Sequence, residues 1–211
     1  MTEAEIKKLS NERQDNYFGG DTNEEGVSLH CLEWQNKYGK YNADFVRYEE
    51  GGKNIYLTFD EGYENGYTAK ILDVLKEKGV KAVFFCTMPY IKQQPELVQR
   101  MIDEGHIVGS HSVTHPSEGM ISLSIAEQKE EMETLQKYVA DNFNGYQVQL
   151  FRYPAGIYSD QSLALMGSLG YTSVFWSFAY ADWDVNNQPN EAEALKKCVD
   201  KLHPGAIYLL H

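Results

Sequence analysis

Ionisable side chains stand at the ends of several short apolar segments, and their types and spacing could support chemistry. Asp60 and Glu61 directly follow the apolar run that begins at Ile55. His111 and His115 are separated by three residues, a spacing that occurs in metal sites but also arises by chance. Three further candidates lie at or just after the ends of later apolar segments: Arg152, Asp182 and His211.

Two histidine nitrogens and a carboxylate can hold a divalent metal while leaving positions open for water and substrate. A second carboxylate nearby could act as general base on the attacking water, and a histidine on the opposite side could protonate a leaving group. This set of residues predicts metal-assisted hydrolysis of an amide or an ester. Taken singly, each residue has a plainer interpretation: Arg152 as a surface residue, Trp183 as a core residue and His211 as a chain end.

Short apolar segments alternate with amphipathic ones from residue 55 onward, as in proteins that alternate strands with helices. Six strands are predicted, and they span residues 55–60, 81–87, 106–112, 149–155, 172–178 and 206–211. Between them, Thr68 is predicted to be a helix N-cap, Pro95 marks a helix start and Gly79 marks a helix end. Ser124 and Glu127 are spaced as a capping box. Strands separated by single helices predict right-handed crossovers and a parallel sheet, either open or closed into a barrel.

Ligands bind at the carboxyl ends of the strands in parallel α/β folds. Five of the six predicted strands end in one of the ionisable candidates, so we expect these side chains to meet at one edge. Residues 1–53 lack the alternation and are predicted to be an N-terminal extension that packs on the barrel. Residues 54–211 would form the catalytic domain, and we expect that domain to continue beyond His211, because a closed barrel would need a further element.

Composition excludes some classes of partner. The chain has 211 residues, of which 42% are hydrophobic, enough for one sizeable core. Its 31 acidic and 19 basic residues give a net charge of -12, which argues against nucleic acid and anionic membrane surfaces. Three separated cysteines without a CxxC pair predict neither a disulfide framework nor a cysteine zinc site. No membrane span or signal-peptide core is visible, so the protein is either cytoplasmic or exported by a segment outside this chain.

Five motifs resemble, in the same order, those of the polysaccharide deacetylases of carbohydrate esterase family 4. They read TFDEG, HSVTH, RYPAG, ADW and LLH, and the resemblance extends over residues 54–211. Two further stretches, GYENGYT and VFWSFAYADWDVNNQP, are similar to the delta-lactam-biosynthetic de-N-acetylases, a branch that acts on N-acetylmuramic acid in spore peptidoglycan. The resemblance implies a distorted parallel (β/α) barrel of six to seven strands that removes an N-acetyl group from a sugar.

The resemblance also implies a role for each motif residue. The general base, the residue that orients it, the acid and the residue that supports the acid would be Asp60, Arg152, His211 and Asp182. The metal ligands would be Glu61, His111 and His115. The sugar-binding groups would be Trp183, the oxyanion-binding N–H of Ala155, and Tyr153. Zinc is the expected metal, with cobalt, manganese and nickel as alternatives.

The sequence departs from the family pattern at two positions. Glu61 stands where the family has aspartate, and Ala179 stands where it often has another aspartate. The leading hypothesis is a monomeric, extracytoplasmic N-acetylmuramic acid deacetylase that acts on peptidoglycan or an amino-sugar oligosaccharide.

Three alternatives stay open. The first is deacetylation of N-acetylglucosamine in peptidoglycan or chitin-like chains. The second is an inactive carbohydrate-binding module whose metal site Glu61 has spoiled. The third is a cytoplasmic metal-binding scaffold, against which the aromatic residues around Trp183 argue.

Overall fold

The structure is a computed structural model that describes residues 1–211. The chain forms ten strands: β1 (Gln14–Asp15), β2 (Ala43–Asp44), β3 (Ile55–Glu61), β4 (Val83–Cys86), β5 (Ile107–Ser110), β6 (Leu150–Phe151), β7 (Ile157–Tyr158), β8 (Thr172–Val174), β9 (Phe178–Ala179) and β10 (Ala206–Leu210). It also forms eight α-helices: α1 (Glu3–Ile6), α2 (Leu29–Tyr38), α3 (Thr68–Lys78), α4 (Met88–Gln93), α5 (Pro95–Asp103), α6 (Ile125–Asn142), α7 (Asp160–Ser168) and α8 (Glu191–Asp200).

Eight of the strands form one curled, all-parallel sheet in the order β2-β8-β6-β5-β4-β3-β10-β9. The six predicted strands are all present, as β3, β4, β5, β6, β8 and β10. The predicted distorted parallel (β/α) barrel is therefore confirmed, with two more strands than the six that the sequence shows. The additional strand β2 is two residues long, too short to produce a recognisable apolar period. The additional strand β9 arises because the predicted strand 172–178 is divided into β8 and β9.

The N-terminal residues 1–53 take part in strand pairing at two places. Strand β1 forms a separate antiparallel ribbon with β7, and β2 extends the parallel sheet by pairing with β8. Helix α2 begins after Ser28, whose side chain accepts a hydrogen bond from the Cys31 N–H as an N-cap. The N-terminal residues thus help to fix β7 and β8, the strands on either side of helix α7.

Alternation along β3 sends neighbouring side chains in different directions. Phe59 belongs to the main apolar core and stacks on Phe84 of β4. Thr58 and Asp60 both contact the buried Arg152, so they share the opposite face of the strand. Glu61, the next residue, approaches helix α3 instead. The two adjacent carboxylates at the end of β3 therefore occupy different surroundings.

Helix α3 begins differently from the prediction that Thr68 caps it. Thr68 is the first helical residue, and Tyr67 at the N-cap position makes no side-chain capping bond. The Glu64 carboxylate accepts hydrogen bonds from the N–H groups of Gly66 and Tyr67, at 2.5 and 2.9 Å. The predicted end at Gly79 is confirmed by its left-handed φ of 66°. None of the helices has the length and apolar character that a membrane crossing requires.

Candidate active site

A cleft of about 1080 Å³ lies at the carboxyl ends of the central strands. Nine of the ten site residues predicted from the sequence line it: Asp60, Glu61, His111, His115, Tyr153, Ala155, Asp182, Trp183 and His211. The tenth, Arg152, is fully buried against one of them. The parallel sheet thus gathers residues that are up to 151 positions apart in the sequence, from Asp60 to His211.

Asp60 is held by a buried ion pair. The Nη1 atom of Arg152 donates to Oδ1 of Asp60 at 2.9 Å, and the Arg152 side chain is fully buried. The remaining guanidinium contacts are also satisfied, because Nε donates to the Val174 carbonyl and Nη2 to the Phe175 carbonyl. The Cζ atom of Arg152 also lies 4.4 Å from the centroid of the Phe85 ring, a cation–π contact. This arrangement leaves Oδ2 of Asp60 as the carboxylate oxygen available for proton transfer.

His111 is fixed as a neutral imidazole whose Nε2 faces the cleft. Its Nδ1 lies 2.9 Å from the Arg152 carbonyl oxygen, a contact that requires Nδ1 to carry the proton. Burial lowers the pKa of His111 to about 4, which keeps the ring neutral at pH 7. Its Nε2 lies 3.2 Å from Nε2 of His115 and 3.6 Å from Oδ2 of Asp60. A neutral ring whose Nδ1–H is held by a hydrogen bond, with Nε2 facing the cleft, is the form of histidine that binds metals.

The histidine pair fits a divalent metal by the chemistry of its donor atoms. Two imidazole nitrogens on one tetrahedral zinc, each ~2.0–2.1 Å from the ion, would lie roughly 3.3 Å apart. The 3.2 Å separation between the two Nε2 atoms agrees with that geometry. The structure nevertheless brings together no group of three or more His, Cys, Asp or Glu side chains that could hold a metal ion. The two histidines therefore suit a divalent metal, but no third protein ligand lies with them.

Glu61, predicted as that third ligand, contacts Thr68 and not the histidines. Thr68 Oγ1 donates to Oε2 of Glu61 at 3.4 Å. The Glu61 side chain is buried, and burial, helped by the negative charge of Glu64, raises the pKa of Glu61 to about 8. Glu61 would have to turn away from Thr68 and lose its proton before it could bind a cation. Its role as a ligand therefore stays a prediction that this placement does not support.

His211 and Asp182 form a second hydrogen-bonded pair in the cleft. Nδ1 of His211 lies 2.7 Å from Oδ1 of Asp182, and the His211 backbone N–H donates to Oδ2 at 2.8 Å. Burial lowers the pKa of His211, but the hydrogen bond and charge of Asp182 outweigh it, so the pKa is raised above its ordinary value. Trp183 is 57% exposed, and its ring meets the His211 ring edge to face. An exposed aromatic surface beside a histidine with a raised pKa is suited to a sugar substrate.

Ala155 and Tyr153 are placed very differently. Ala155 has φ of 55° and ψ of 9°, a left-handed conformation that is strained for a residue with a Cβ and typical of functional turns. The next residue, Gly156, must be glycine, because a Cβ there would lie 2.5 Å from the Trp176 ring.

Tyr153 borders the cleft but is only 1% exposed, and its ring stacks on Phe175 in the core. Its placement supports a packing role.

Thr58 is a site residue that the sequence reasoning missed. Its hydroxyl accepts a hydrogen bond from Arg152 Nη1 at 2.7 Å and donates to the Tyr208 carbonyl at 2.6 Å. It therefore ties the cation that holds Asp60 to β10, the strand that precedes His211. A hydroxyl within the apolar run IYLTFD, two residues before the carboxylate and on its face, was the available signal.

The sequence matches the family model described as polysaccharide deacetylase over residues 47–174, more than half of the chain. It is 47% identical over 174 residues to the peptidoglycan-N-acetylmuramic acid deacetylase PdaA of Bacillus subtilis (strain 168), which covers 82% of this chain and 64% of that protein. It is 46% identical over 179 residues to an uncharacterized 30.6 kDa protein of Geobacillus stearothermophilus, covering 85% of this chain and 66% of that protein.

The solved structure of Bacillus subtilis PdaA, described as a family 4 carbohydrate esterase, superposes on this fold with a TM-score of 0.86 at 38% identity. The superposition covers 96% of this chain and 85% of that one. The chain spans about two thirds of the length of the curated relatives it matches. From the matched family model, the identity to its relatives and the shared fold, the chain belongs to the polysaccharide deacetylase family.

Proposed function

We propose that this protein hydrolyses the N-acetyl group of an amino sugar in peptidoglycan, with N-acetylmuramic acid as the preferred residue. The observation that carries the proposal is the presence of two hydrogen-bonded pairs in one cleft, Asp60 with Arg152 and His211 with Asp182. One pair presents a carboxylate and the other a histidine with a raised pKa. A general base and a general acid on opposite sides of a scissile bond are what amide hydrolysis requires.

On the base side, Asp60 takes a proton from the water that attacks the acetyl carbonyl carbon. The Arg152 cation orients the carboxylate through its contact with Oδ1. Because Arg152 is itself fixed by Thr58 and two backbone carbonyls, the carboxylate has little freedom to turn away. The Ala155 N–H would support the negative charge that develops on the acetyl oxygen.

On the acid side, His211 donates a proton from Nε2 to the sugar nitrogen as the carbon–nitrogen bond breaks. Nδ1 is engaged with Asp182, so the proton to be transferred sits on the other ring nitrogen. The raised pKa favours the imidazolium form before the reaction. The products are acetate and the protonated amino sugar. Asp60 then releases to solvent the proton that it took, and His211 takes up a proton from solvent.

Deacetylases of this family are metal-dependent in general. We propose that His111 and His115 hold a divalent metal, with zinc as the preferred ion and cobalt, manganese or nickel as substitutes. When bound, it would polarise the acetyl carbonyl and the attacking water. Glu61 would complete the ligand set only after its side chain turned away from Thr68.

The choice of N-acetylmuramic acid rests on the relative at 47% identity, whose name states that substrate. The exposed Trp183 ring would form a wall for the sugar. Because peptidoglycan lies outside the cytoplasmic membrane, we propose an extracytoplasmic location and action as a monomer on the glycan. The net charge of -12 makes nucleic acid an unsuitable partner.

The test is acetyl loss from purified peptidoglycan. Peptidoglycan treated with the zinc-loaded protein is digested with a muramidase, and the fragments are sequenced by tandem mass spectrometry, with the Asp60→Asn variant as a catalytic control. Loss of acetyl groups from muramic acid supports the proposal. Loss confined to glucosamine would overturn the substrate, and no loss from either sugar would leave a carbohydrate-binding module as the better explanation.

A further inference from the structure

The segment that joins His111 to His115 is held from behind by a carboxylate on helix α6. Oε2 of Glu131 accepts hydrogen bonds from the N–H groups of Val113 at 2.7 Å and Thr114 at 3.0 Å. Its other oxygen, Oε1, accepts one from Oγ1 of Thr114 at 2.8 Å. Both oxygens of one side chain are thus bound to the two central residues of the turn between the histidines.

This turn has a conformation that needs support. Ser112 has φ of 70° and His115 has φ of 47°, so two residues with side chains occupy the left-handed region within four positions. These two reversals turn the chain back on itself and bring the Nε2 atoms of His111 and His115 to within 3.2 Å of each other. Without external contacts, a strained turn of this kind would relax toward commoner backbone angles, and the two imidazoles would separate.

The placement of Glu131 on its own helix points to the same conclusion. It is 9% exposed and lies on the buried face of α6 beside Met132, one turn before Leu135. Burying a carboxylate is costly unless it is hydrogen-bonded. All three of its hydrogen bonds go to residues 17 or 18 positions earlier in the chain, and their donors are neutral N–H and O–H groups. The Glu131 carboxylate therefore makes all of its hydrogen bonds to the turn between the histidines.

We propose that Glu131 is a positioning residue for the histidine pair: it holds the 112–115 turn in the strained form that lets His111 and His115 bind one divalent cation. It contacts neither imidazole and acts only through the backbone and hydroxyl of the residues between them. The proposal rests on the metal-binding role proposed above for these histidines. It predicts that the metal affinity of the intact chain depends on a residue at position 131 that can accept the N–H bonds.

The experiment is a titration of the metal-free chain with cobalt(II), followed by isothermal calorimetry and visible absorption. Glu131→Ala should weaken cobalt binding roughly tenfold to a hundredfold, the range seen when groups that orient metal ligands are removed. Glu131→Gln should restore most of the affinity. Its carbonyl oxygen can accept both N–H bonds, and the Thr114 hydroxyl can turn to accept from the amide.

Gln136→Ala is the matched control. Gln136 lies on the same helix, and it also bonds backbone groups of a neighbouring segment, donating to the Tyr146 carbonyl and accepting from the Val148 N–H. Its loss should lower the melting temperature without changing the affinity for cobalt. A fall in affinity equal to that of Glu131→Ala would show that general loosening of α6 is the cause and would overturn the proposal.

Two further outcomes separate this proposal from the one on which it rests. If the wild-type chain binds cobalt and Glu131→Ala binds it equally well, Glu131 does not position the pair. If the wild-type chain binds no cobalt, the metal-binding role of the histidines fails, and this proposal fails with it. Should circular dichroism show that Glu131→Ala does not fold, Thr114→Val removes one of the three bonds with the carboxylate in place. Unchanged affinity in that variant would also count against the proposal.

Discussion

The Nδ1 atom of His211 lies 2.7 Å from Oδ1 of Asp182, while the backbone N–H of His211 donates to Oδ2 of the same carboxylate. One aspartate thus fixes both the ring and the main chain of the histidine. The charge of Asp182 also raises the pKa of His211 above its ordinary value in spite of burial. The orientation and the protonation of the proposed acid therefore depend on a single residue, and the two effects can be tested together.

Asp182→Asn should move the alkaline limb of the pH profile of kcat/KM to lower pH. Asparagine keeps a hydrogen-bonding side chain but removes the charge, and burial alone lowers the pKa of His211. The imidazolium would then be lost at a lower pH, and turnover at pH 8 should fall roughly tenfold or more, part of the ~10²–10⁴ that a general acid contributes. Asp184→Asn, two residues away and exposed, is the control. An alkaline limb that stays in place would show that His211 is not the acid.

Asp60→Asn should lower deacetylation by roughly 10²–10⁴ while leaving the protein folded and able to bind metal. Asparagine can still accept the Arg152 bond through its side-chain oxygen, but it cannot take a proton from water. The two imidazoles are unchanged by the substitution, so cobalt binding should persist. Acetate release measures the first effect and calorimetry the second. Turnover near that of the wild type would exclude Asp60 as the base.

Much of the fold could be predicted from the sequence because its strands are continuous apolar runs between well-marked helix ends. The capping box at Ser124 and Glu127 and the Gly79 stop are both present. Strand β2 could not be predicted, because its two residues are not part of a longer apolar run. The division of the predicted strand 172–178 into β8 and β9 could not be predicted either, because the apolar run is continuous across the break.

The site was predictable only in part, for a related reason. The carboxyl ends of parallel strands predict which residues meet, as they do for Asp60, His111 and His211. Strand position does not predict where a side chain turns, and Glu61 lies on the α3 side of β3 with Thr68. Nor does it reveal a supporting residue from another element. Glu131 looks like its neighbours in QKEEMETL, unless its place on the apolar stripe of α6 is noticed.

Thr58→Val should destabilise the protein and slow catalysis. Valine fills a similar volume, but it leaves one Arg152 N–H and the Tyr208 carbonyl without their partner. An unpaired buried donor or acceptor costs roughly 1–3 kcal/mol. Thr58→Ser keeps the hydroxyl and removes one methyl group, so it should cost about 1 kcal/mol or less. Urea unfolding and acetate release distinguish the two variants. Equal stability and equal turnover in valine and serine variants would contradict the bridging role.

Glu61 should make the stability of the metal-free protein depend on pH. Burial, with the negative charge of Glu64, raises the pKa of Glu61 from 4.5 to about 8. Between these values the folded protein keeps a proton that the unfolded chain has released. The contribution of Glu61 to the free energy of unfolding of the metal-free protein should therefore fall as pH rises from about 4.5 to 8.

Glu61→Gln removes this titration and can keep the Thr68 hydrogen bond, because the amide oxygen accepts it. The variant should be more stable than the wild type at pH 7, by at most about 3 kcal/mol, with the difference disappearing near pH 4. Urea unfolding at both pH values in the presence of a chelator measures it. Equal stability at pH 7 would mean that the carboxylate is solvated. If Glu61→Gln also weakened cobalt binding, the Glu61 carboxylate would have to turn from Thr68 toward the histidines. The family pattern predicts that position, and the observed placement of Glu61 does not support it.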